Sequence, residues 1–445
     1  MDCAEAAAHE AAAEVAAAGE GEGAGAIFGE GKLAGAGSRW TDTGSLSIGG
    51  ASGPGTLAIT GGADVLVSGA LTIGSGGTLE DDGLSGFSAS SLTINGGTFL
   101  TLGVLNYPLP APIALGTGGV TFNSDGFNST LAVSFNGPGG LTKIGAGTLT
   151  LTGSSSYTGA TMVNAGALVL ETTSARTAFL GNTAITVASS ATFSPTLGAG
   201  SSSKVVNAGT LGSGTAGATL TLNPGSALSM VDGAISTFNL QQQNSFTGAA
   251  LVIGGASGAA PTLTFEIGNA ATGTDQIDVA KNASVLATGG KITIDALAGD
   301  TSLTSGSYSL ITAAGGFSGT GGNGLTLSGT TITLDGTTYS LTLANSTTTK
   351  EVLSVSLLGT PGSTPSLDDP DGLVHSPDSL LAASDANATP GKESVTTEAA
   401  IPASAGELAQ PSFGAGVVPE PENWASGIAT LAAVLMLARR SRRRG

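Results

Sequence analysis

Between Gly137 and Leu170 the chain reads GPGGLTKIGAGTLTLTGSSSYTGATMVNAGALVL. The apolar runs there, around Leu149, Leu151, Val163, Leu168 and Leu170, are two or three residues long. Gly, Asn or Ser ends each run before it reaches ordinary strand length. Leu149 in GTLTLTG and Leu168 in GALVLET sit in similar settings 19 positions apart. Short strands that alternate apolar and polar positions send one row of side chains inward and the next outward. Glycine at the breaks allows sharp turns at positive φ. A short strand, a turn and a return after about 20 residues describe a chain that winds as a solenoid.

The order of residues in this segment resembles the autotransporter-associated β-strand repeat, also called the passenger-associated transport repeat. The matching residues are Gly139-Gly140-Leu141-Thr142-Lys143, then Gly145-Ala146-Gly147-Thr148-Leu149-Thr150-Leu151, then Tyr157-Thr158-Gly159 and Asn164-Ala165-Gly166-Ala167-Leu168. The resemblance implies an all-β fold, a right-handed parallel β-helix exported to the cell surface, and no catalytic residue. It covers 137–170 directly and extends by analogy to a β-solenoid over 38–359. At about 20 residues per turn that region predicts roughly 16 turns.

A second repeat type occupies 38–104. SLSIGG (45–50), TLAITGG (56–62), ALTIGSGG (70–77) and SLTINGG (91–97) are near copies, and Leu71 and Leu92 lie 21 positions apart. The run Ser38-Arg39-Trp40-Thr41, Gly44-Ser45-Leu46, Gly55-Thr56-Leu57 and Ile59-Thr60-Gly61-Gly62 is similar to the repeat shared by type V secretion proteins and PEP-CTERM proteins. The pattern breaks at Asp81-Asp82 and Phe87, where a loop is expected to leave the coil. Tyr107, Pro108, Pro110 and Pro112 predict a lateral loop or an offset coil within 105–136, because proline disrupts central-strand pairing. Longer alternation after 260, as in KITIDAL (291–297) and YSLTLA (339–344), allows antiparallel pairing in a terminal cap.

Composition supports a thin core. Aromatics are 4% of the residues, too few for a wide globular interior, and 72 glycines without a three-residue period exclude collagen. The formal charge is −18. Setting aside Arg439, Arg440, Arg442, Arg443 and Arg444 leaves 9 basic against 32 acidic residues, a body charge of −23. Such a body repels nucleic acid, so no nucleic-acid partner is expected. Cys3 is the only cysteine, which rules out an intramolecular disulfide.

Residues 1–37 are rich in Ala, Glu and Gly and carry no recognisable secretory signal, which predicts a truncated or misplaced start. Residues 360–416 scatter seven prolines, from Pro361 to Pro411, among Ser, Ala, Asp and Glu and are read as a disordered linker. The tail over 417–445 resembles the PEP-CTERM sorting signal. Its parts are the motif Pro419-Glu420-Pro421, an apolar segment from Trp424 to Ala438, and the basic end Arg439, Arg440, Arg442, Arg443 and Arg444. The apolar segment would form a short transmembrane helix of about 22 Å, below the roughly 30 Å hydrocarbon core. Arginine snorkelling and local thinning would cover the difference, with the arginines cytoplasmic. The resemblance implies an exosortase-type membrane protease as partner, with Glu420 as a recognition residue of the substrate.

Catalytic chemistry has little to stand on. His9 and His375 are the only histidines, and both fall in segments read as unfolded, which excludes a Ser/His/Asp triad or a histidine metal site in the solenoid. Asp275 with Asp278 and Asp81 with Asp82 are the acid pairs a polysaccharide-active β-helix could use, but alternation turns 275 and 278 to opposite sides. Asp368, Asp369 and Asp371 lack EF-hand spacing. The expectation is a non-enzymatic structural or adhesin-like protein of the cell envelope. It is first membrane-anchored, then at the surface or extracellular, without cofactor or metal. Its partners would be extracellular polysaccharide or other surface proteins. The alternatives are a polysaccharide-active β-helix enzyme and an autotransporter passenger domain.

Overall fold

The computed structural model describes residues 13–14, 19–21 and 25–359, apart from 85, 106–108, 173–178, 182, 200, 202–203, 210–216, 243–245, 270–272 and 320–323. All its named elements are strands. A long sheet of thirteen parallel strands runs from Ala13–Glu14 through Gly29–Ala34, Gly55–Thr60 and Leu141–Ile144 to Phe317–Gly319. At about 4.8 Å per strand its twelve intervals span about 58 Å. Each return to this sheet passes through shorter sheets, which makes the array a parallel β-solenoid.

The cross-section changes along the array. Early coils use a four-stranded sheet from Gly19–Gly21 to Gly86–Ser88 and a six-stranded sheet from Gly25–Ile27 to Phe135–Asn136. Later coils use an eight-stranded sheet from Ser129–Leu131 to Leu325–Leu327 and another that begins at Phe179–Leu180. The coil also widens. Thr78 pairs with Thr98 and Leu141 with Thr161, each 20 residues on. Ala184 pairs with Thr219, 35 residues on, and Leu220 with Leu251, 31 residues on. The 20-residue period therefore does not extend through the second half, and the long sheet has fewer strands than the sixteen turns that period predicts. The extra residues enter as longer corners, while most strands remain three to six residues long.

The interior follows from alternation. In Gly55–Thr60 the side chains of Leu57 and Ile59 are buried and those of Thr56, Ala58 and Thr60 are half-exposed. In-register pairing stacks like on like, so Leu57, Leu79, Phe99 and Phe122 form one inward column. The Phe99 and Phe122 rings stack at 5.6 Å between centroids. Phe87 corrects the expected excursion at Asp81-Asp82. It lies on Gly86–Ser88 in the core, 6.4 Å from the Phe99 ring, and Asp81 ends a fully paired strand. The boundary at 38 is also early-shifted in the fold: Gly25–Ile27 and Gly29–Ala34 already pair with Leu46–Ile48 and Gly55–Thr60. Their Ala/Gly/Glu composition hides two inward apolar positions, the half-buried Ile27 and the buried Leu33.

Parallel pairing in the core sheets persists to Leu325–Leu327. Beyond it the chain turns antiparallel: Lys350–Gly359 pairs with Gly306–Ala313 on one side and Thr337–Thr347 on the other, and Thr331–Leu334 closes the edge. Tyr339, Leu341, Leu353 and Val355 bury their side chains, and Phe317 donates its backbone N–H to Thr348 O at 2.9 Å. The hairpin continues one sheet of the last coil and leaves Thr331–Leu334 as its edge strand.

Candidate functional site

The signature residues of 137–170 prove to be fastenings between coils. Lys143 shares the inward face of its strand with Leu141 and occupies the column directly after Phe122. Its side chain is fully buried. Nζ donates to Ser124 Oγ at 2.9 Å in the coil before, to Ile144 O and Gly145 O at 2.8 Å in its own coil, and to Ala165 O at 3.2 Å in the coil after. Burial lowers this ammonium to about 8, while the four oxygens favour its charged form. An amine enclosed in this way has no route to a substrate.

Tyr157 is likewise buried, with its ring edge-on to Phe135 at 6.5 Å. Its hydroxyl lies 2.6 Å from Thr161 Oγ1, which lies 2.9 Å from Thr183 Oγ1, and Thr183 donates to Gly159 O at 2.7 Å. Burial raises the phenol far above its ordinary range. Gly147 is required by close approach: a Cβ there would stand 1.9 Å from Phe127 O in the preceding coil. The motif is thus explained by packing, and alternation from Leu141 was the signal that turned Lys143 inward.

The outward face offers a different chemistry. In-register pairing along the long sheet sets Thr56, Thr78, Thr98, Thr121 and Thr142 in one column, followed by Met162, Thr186, Thr221, Val252, Ser284 and Ser318. All are half-exposed or exposed. Strand spacing places successive hydroxyls about 4.8 Å apart. None of these eleven carries a charge, although the position in register before Thr56 is the exposed Glu30. A second outward column joins Ser229, Thr264 and Thr293, and Thr293 Oγ1 lies 2.9 Å from Ser328 Oγ. A third pairs Asn207, Asn239 and Asp278, with Asn239 Nδ2 donating to Asn207 Oδ1 at 3.2 Å. These columns form the candidate binding surface.

The candidate acid pairs separate as alternation requires. Asp275 is buried and Asp278 exposed; Asp81 is buried and Asp82 half-exposed. Burial raises both Asp81 and Asp275 to about 7. Asp81 Oδ1 accepts the Gly83 N–H at 2.7 Å, and Asp275 accepts the N–H groups of Ser236 and Glu266 at 2.8 Å each. Their oxygens therefore serve the backbone. Among the described residues no three His, Cys, Asp or Glu side chains gather as metal ligands, and no helix is long and apolar enough to cross a membrane. The expected sorting motif Pro419-Glu420-Pro421, the apolar segment from Trp424 to Ala438 and the arginines from Arg439 to Arg444 lie outside the described residues, as do His9, His375, Asp368, Asp369 and Asp371.

Two comparisons bear on this geometry. A 95-residue segment is 36% identical to the adhesin BmaC autotransporter of Brucella suis biovar 1 (strain 1330). The match covers 21% of this chain and 3% of that protein, so the chain spans only a small part of its relative. Residues 141–170, which hold Lys143, Tyr157 and Gly147, match the family model of the passenger-associated-transport-repeat.

Proposed function

We propose that the chain is an adhesin-like passenger displayed at the cell surface, with the uncharged hydroxyl column of the long sheet as its contact face. The column carries this reading: it sets nine hydroxyls over eleven consecutive coils, interrupted by Met162 and Val252. The passenger repeat at 141–170 and the likeness to an autotransporter adhesin support it. A row of weak hydroxyl contacts at regular spacing suits a polymer that also repeats, so binding is multivalent. The net negative body disfavours anionic partners, which leaves neutral extracellular polysaccharide as the ligand class. A non-enzymatic role accords with carboxylates that accept backbone N–H groups. The right hand of the winding belongs to the same proposal, because parallel crossovers take that hand in about 98% of cases.

The test replaces Thr98, Thr121 and Thr142 together by Lys on the displayed protein. Retention on neutral polysaccharide should fall by at least about tenfold, with unchanged circular dichroism. Undiminished retention refutes the contact face. Sugar ends released by the purified protein, and lost on Asp275→Ala or Asp278→Ala, would establish an enzyme instead.

The tail supports a second proposal about anchoring. Three elements stand in order: Pro419-Glu420-Pro421, the apolar run from Trp424 to Ala438, and the arginine cluster. Exosortase-type recognition of Glu420 would release the body after transient insertion of the apolar run. In a host carrying such a protease, Glu420→Ala should accumulate as a full-length membrane-bound form. Processing of that variant like the parent would reduce the tail to a plain anchor and leave the passenger reading untouched.

A further inference from the structure

One sheet of the solenoid ends on a strand with a free side. Beyond Gly306–Ala313 the strands Lys350–Gly359, Thr337–Thr347 and Thr331–Leu334 join that sheet in turn, and no described strand pairs with the outer side of Thr331–Leu334. Register fixes which groups face outward there. Thr331 stands opposite Ser340, Ile332 opposite Tyr339, and Thr333 opposite Thr338. Leu341 donates its N–H to Thr330 O at 2.8 Å, so Thr330 belongs to a hydrogen-bonded pair. Antiparallel pairs alternate between bonded and unbonded, which makes Ile332 bonded toward the hairpin and Thr331 and Thr333 unbonded. The backbone N–H and C=O groups of Thr331 and Thr333 therefore point away from the sheet. The 3.0 Å contact between Thr333 Oγ1 and Thr338 Oγ1 fits the closer spacing of an unbonded pair.

Proteins commonly blunt such edges with charge, proline or a bulge. Residues 329–334, GTTITL, hold no charged residue and no proline, and the pairing of Thr331–Leu334 runs without a register shift. A tight turn holds the strand in place: Asp335 and Gly336 take φ of 45° and 77°, as a two-residue hairpin turn requires. Ile332 and Leu334 pack toward the core, while Thr331 and Thr333 are exposed. The strand is its own complement. On a two-fold axis through Ile332, Thr331 meets Thr333 of a second copy and Thr333 meets Thr331, and each pair exchanges both N–H···O bonds. The apolar faces and the hydroxyl faces then continue across the axis, and Asp335 falls opposite Gly329 rather than opposite an acid. Two acidic bodies repel one another, and an uncharged edge at the end of the sheet lets them meet with their acidic lengths apart.

We propose that Thr331–Leu334 is a self-pairing edge: two copies of the chain join end to end through it as one continuous antiparallel sheet. Main-chain hydrogen bonds supply the attraction, and the alternation of Thr with Ile and Leu sets the register. A ladder this short buries less than a standard interface, so a single pair is weak and reversible. Where many copies stand together, such pairs add.

Sedimentation velocity of the full chain over a concentration series reads the pairing. Mild detergent and a reductant ensure that neither the apolar run near the C-terminus nor Cys3 joins copies. The parent should pass from monomer to dimer as concentration rises. Thr331→Pro should stay monomeric with unchanged circular dichroism, because the lost N–H served no hairpin bond and the ring blocks an incoming strand. Dimers that persist in this variant place the contact elsewhere and overturn the proposal, as does a parent that is monomeric throughout. If Thr331→Pro unfolds the hairpin, the double variant Thr331→Lys with Thr333→Lys decides. It keeps every backbone group and sets lysines opposite one another across the axis. Dimer formation should weaken at least about tenfold and recover in salt. Dimers of unchanged strength, or a loss that salt leaves in place, overturn the proposal. A monomeric parent whose Thr331 and Thr333 amides exchange slowly would give the edge to another segment of the same chain, which overturns it as well.

Discussion

Lys143→Met tests whether the buried ammonium fastens three coils or merely fills space. Met keeps the length and the apolar stem, so the change isolates the charged group. Ile144 O retains the Ser124 N–H at 3.1 Å, whereas Gly145 O and Ala165 O lose their bonds to Nζ. Stranding these two part-buried carbonyls costs at most about 1–3 kcal/mol each. Removing the charge returns part of this: a fall from 10.5 to about 8 corresponds to roughly 3 kcal/mol of burial cost at about 1.4 kcal/mol per pH unit. The balance at pH 7 is about 1 kcal/mol in favour of Lys, the middle of a range from about −1 to 3 kcal/mol. The pH dependence is the sharper readout. Between about 8 and 10.5 the unfolded chain holds the lysine proton and the folded chain does not, so the parent gains stability as pH rises. The gap between parent and Lys143→Met should widen by about 2 kcal/mol from pH 7 to pH 9.5. Other titrating groups cancel in the difference. Because a solenoid unfolds segment by segment, local hydrogen exchange over 120–165 is the proper assay, with urea melts as a check. A Met variant at least as stable as the parent at pH 7 would refute the fastening, and a gap that stays constant to pH 9.5 would refute the depressed ammonium.

Gly147→Ala should cost more than about 3 kcal/mol and lower the melting temperature sharply, because its Cβ would meet the Phe127 carbonyl at 1.9 Å and force adjacent coils apart. Tyr157→Phe should cost about 1–2 kcal/mol, since it removes the hydroxyl from the buried Thr161–Thr183 chain and leaves the Phe135 ring contact in place. Thermal melts of the two variants should rank in that order.

Alternation made much of this fold legible. Leu57 and Ile59 inward with Thr56 and Thr60 outward is a reading any short strand permits, and the same rule turned Asp275 inward with Ile277 and Val279. The widening of the coil was not legible. It resides in corners such as 230–236, where no side-chain period exists and residue count is free to vary. Phe87 was misplaced because an acid pair before it looked like the start of a loop; Asp81 instead ends a strand and supports the next turn through Gly83. The strands at 25–34 were missed because Ala and Gly carry little hydrophobic signal, although Ile27 and Leu33 marked the inward row. The outward hydroxyl column became visible only through the pairing register.

The acidity of the body takes on a specific meaning once the corners are considered. A narrow coil turns on glycine and short polar caps: Asp42 accepts the Gly44 N–H at 2.7 Å, Asn95 that of Gly118 at 2.8 Å, and Asn128 that of Thr148 at 2.9 Å. A wide coil has more backbone N–H groups leaving the sheets, and unpaired donors in a buried corner are costly. Glu266, Asp232, Asp275 and Asp300 supply acceptors there, each reaching a neighbouring turn; Asp300 takes the Asn269 N–H at 2.9 Å. These carboxylates are therefore part of the scaffold, while the long sheet's outward column from Thr56 to Ser318 is free of charge. Corner carboxylates of this kind are committed to backbone donors, and contacts with other molecules are to be sought on the hydroxyl face.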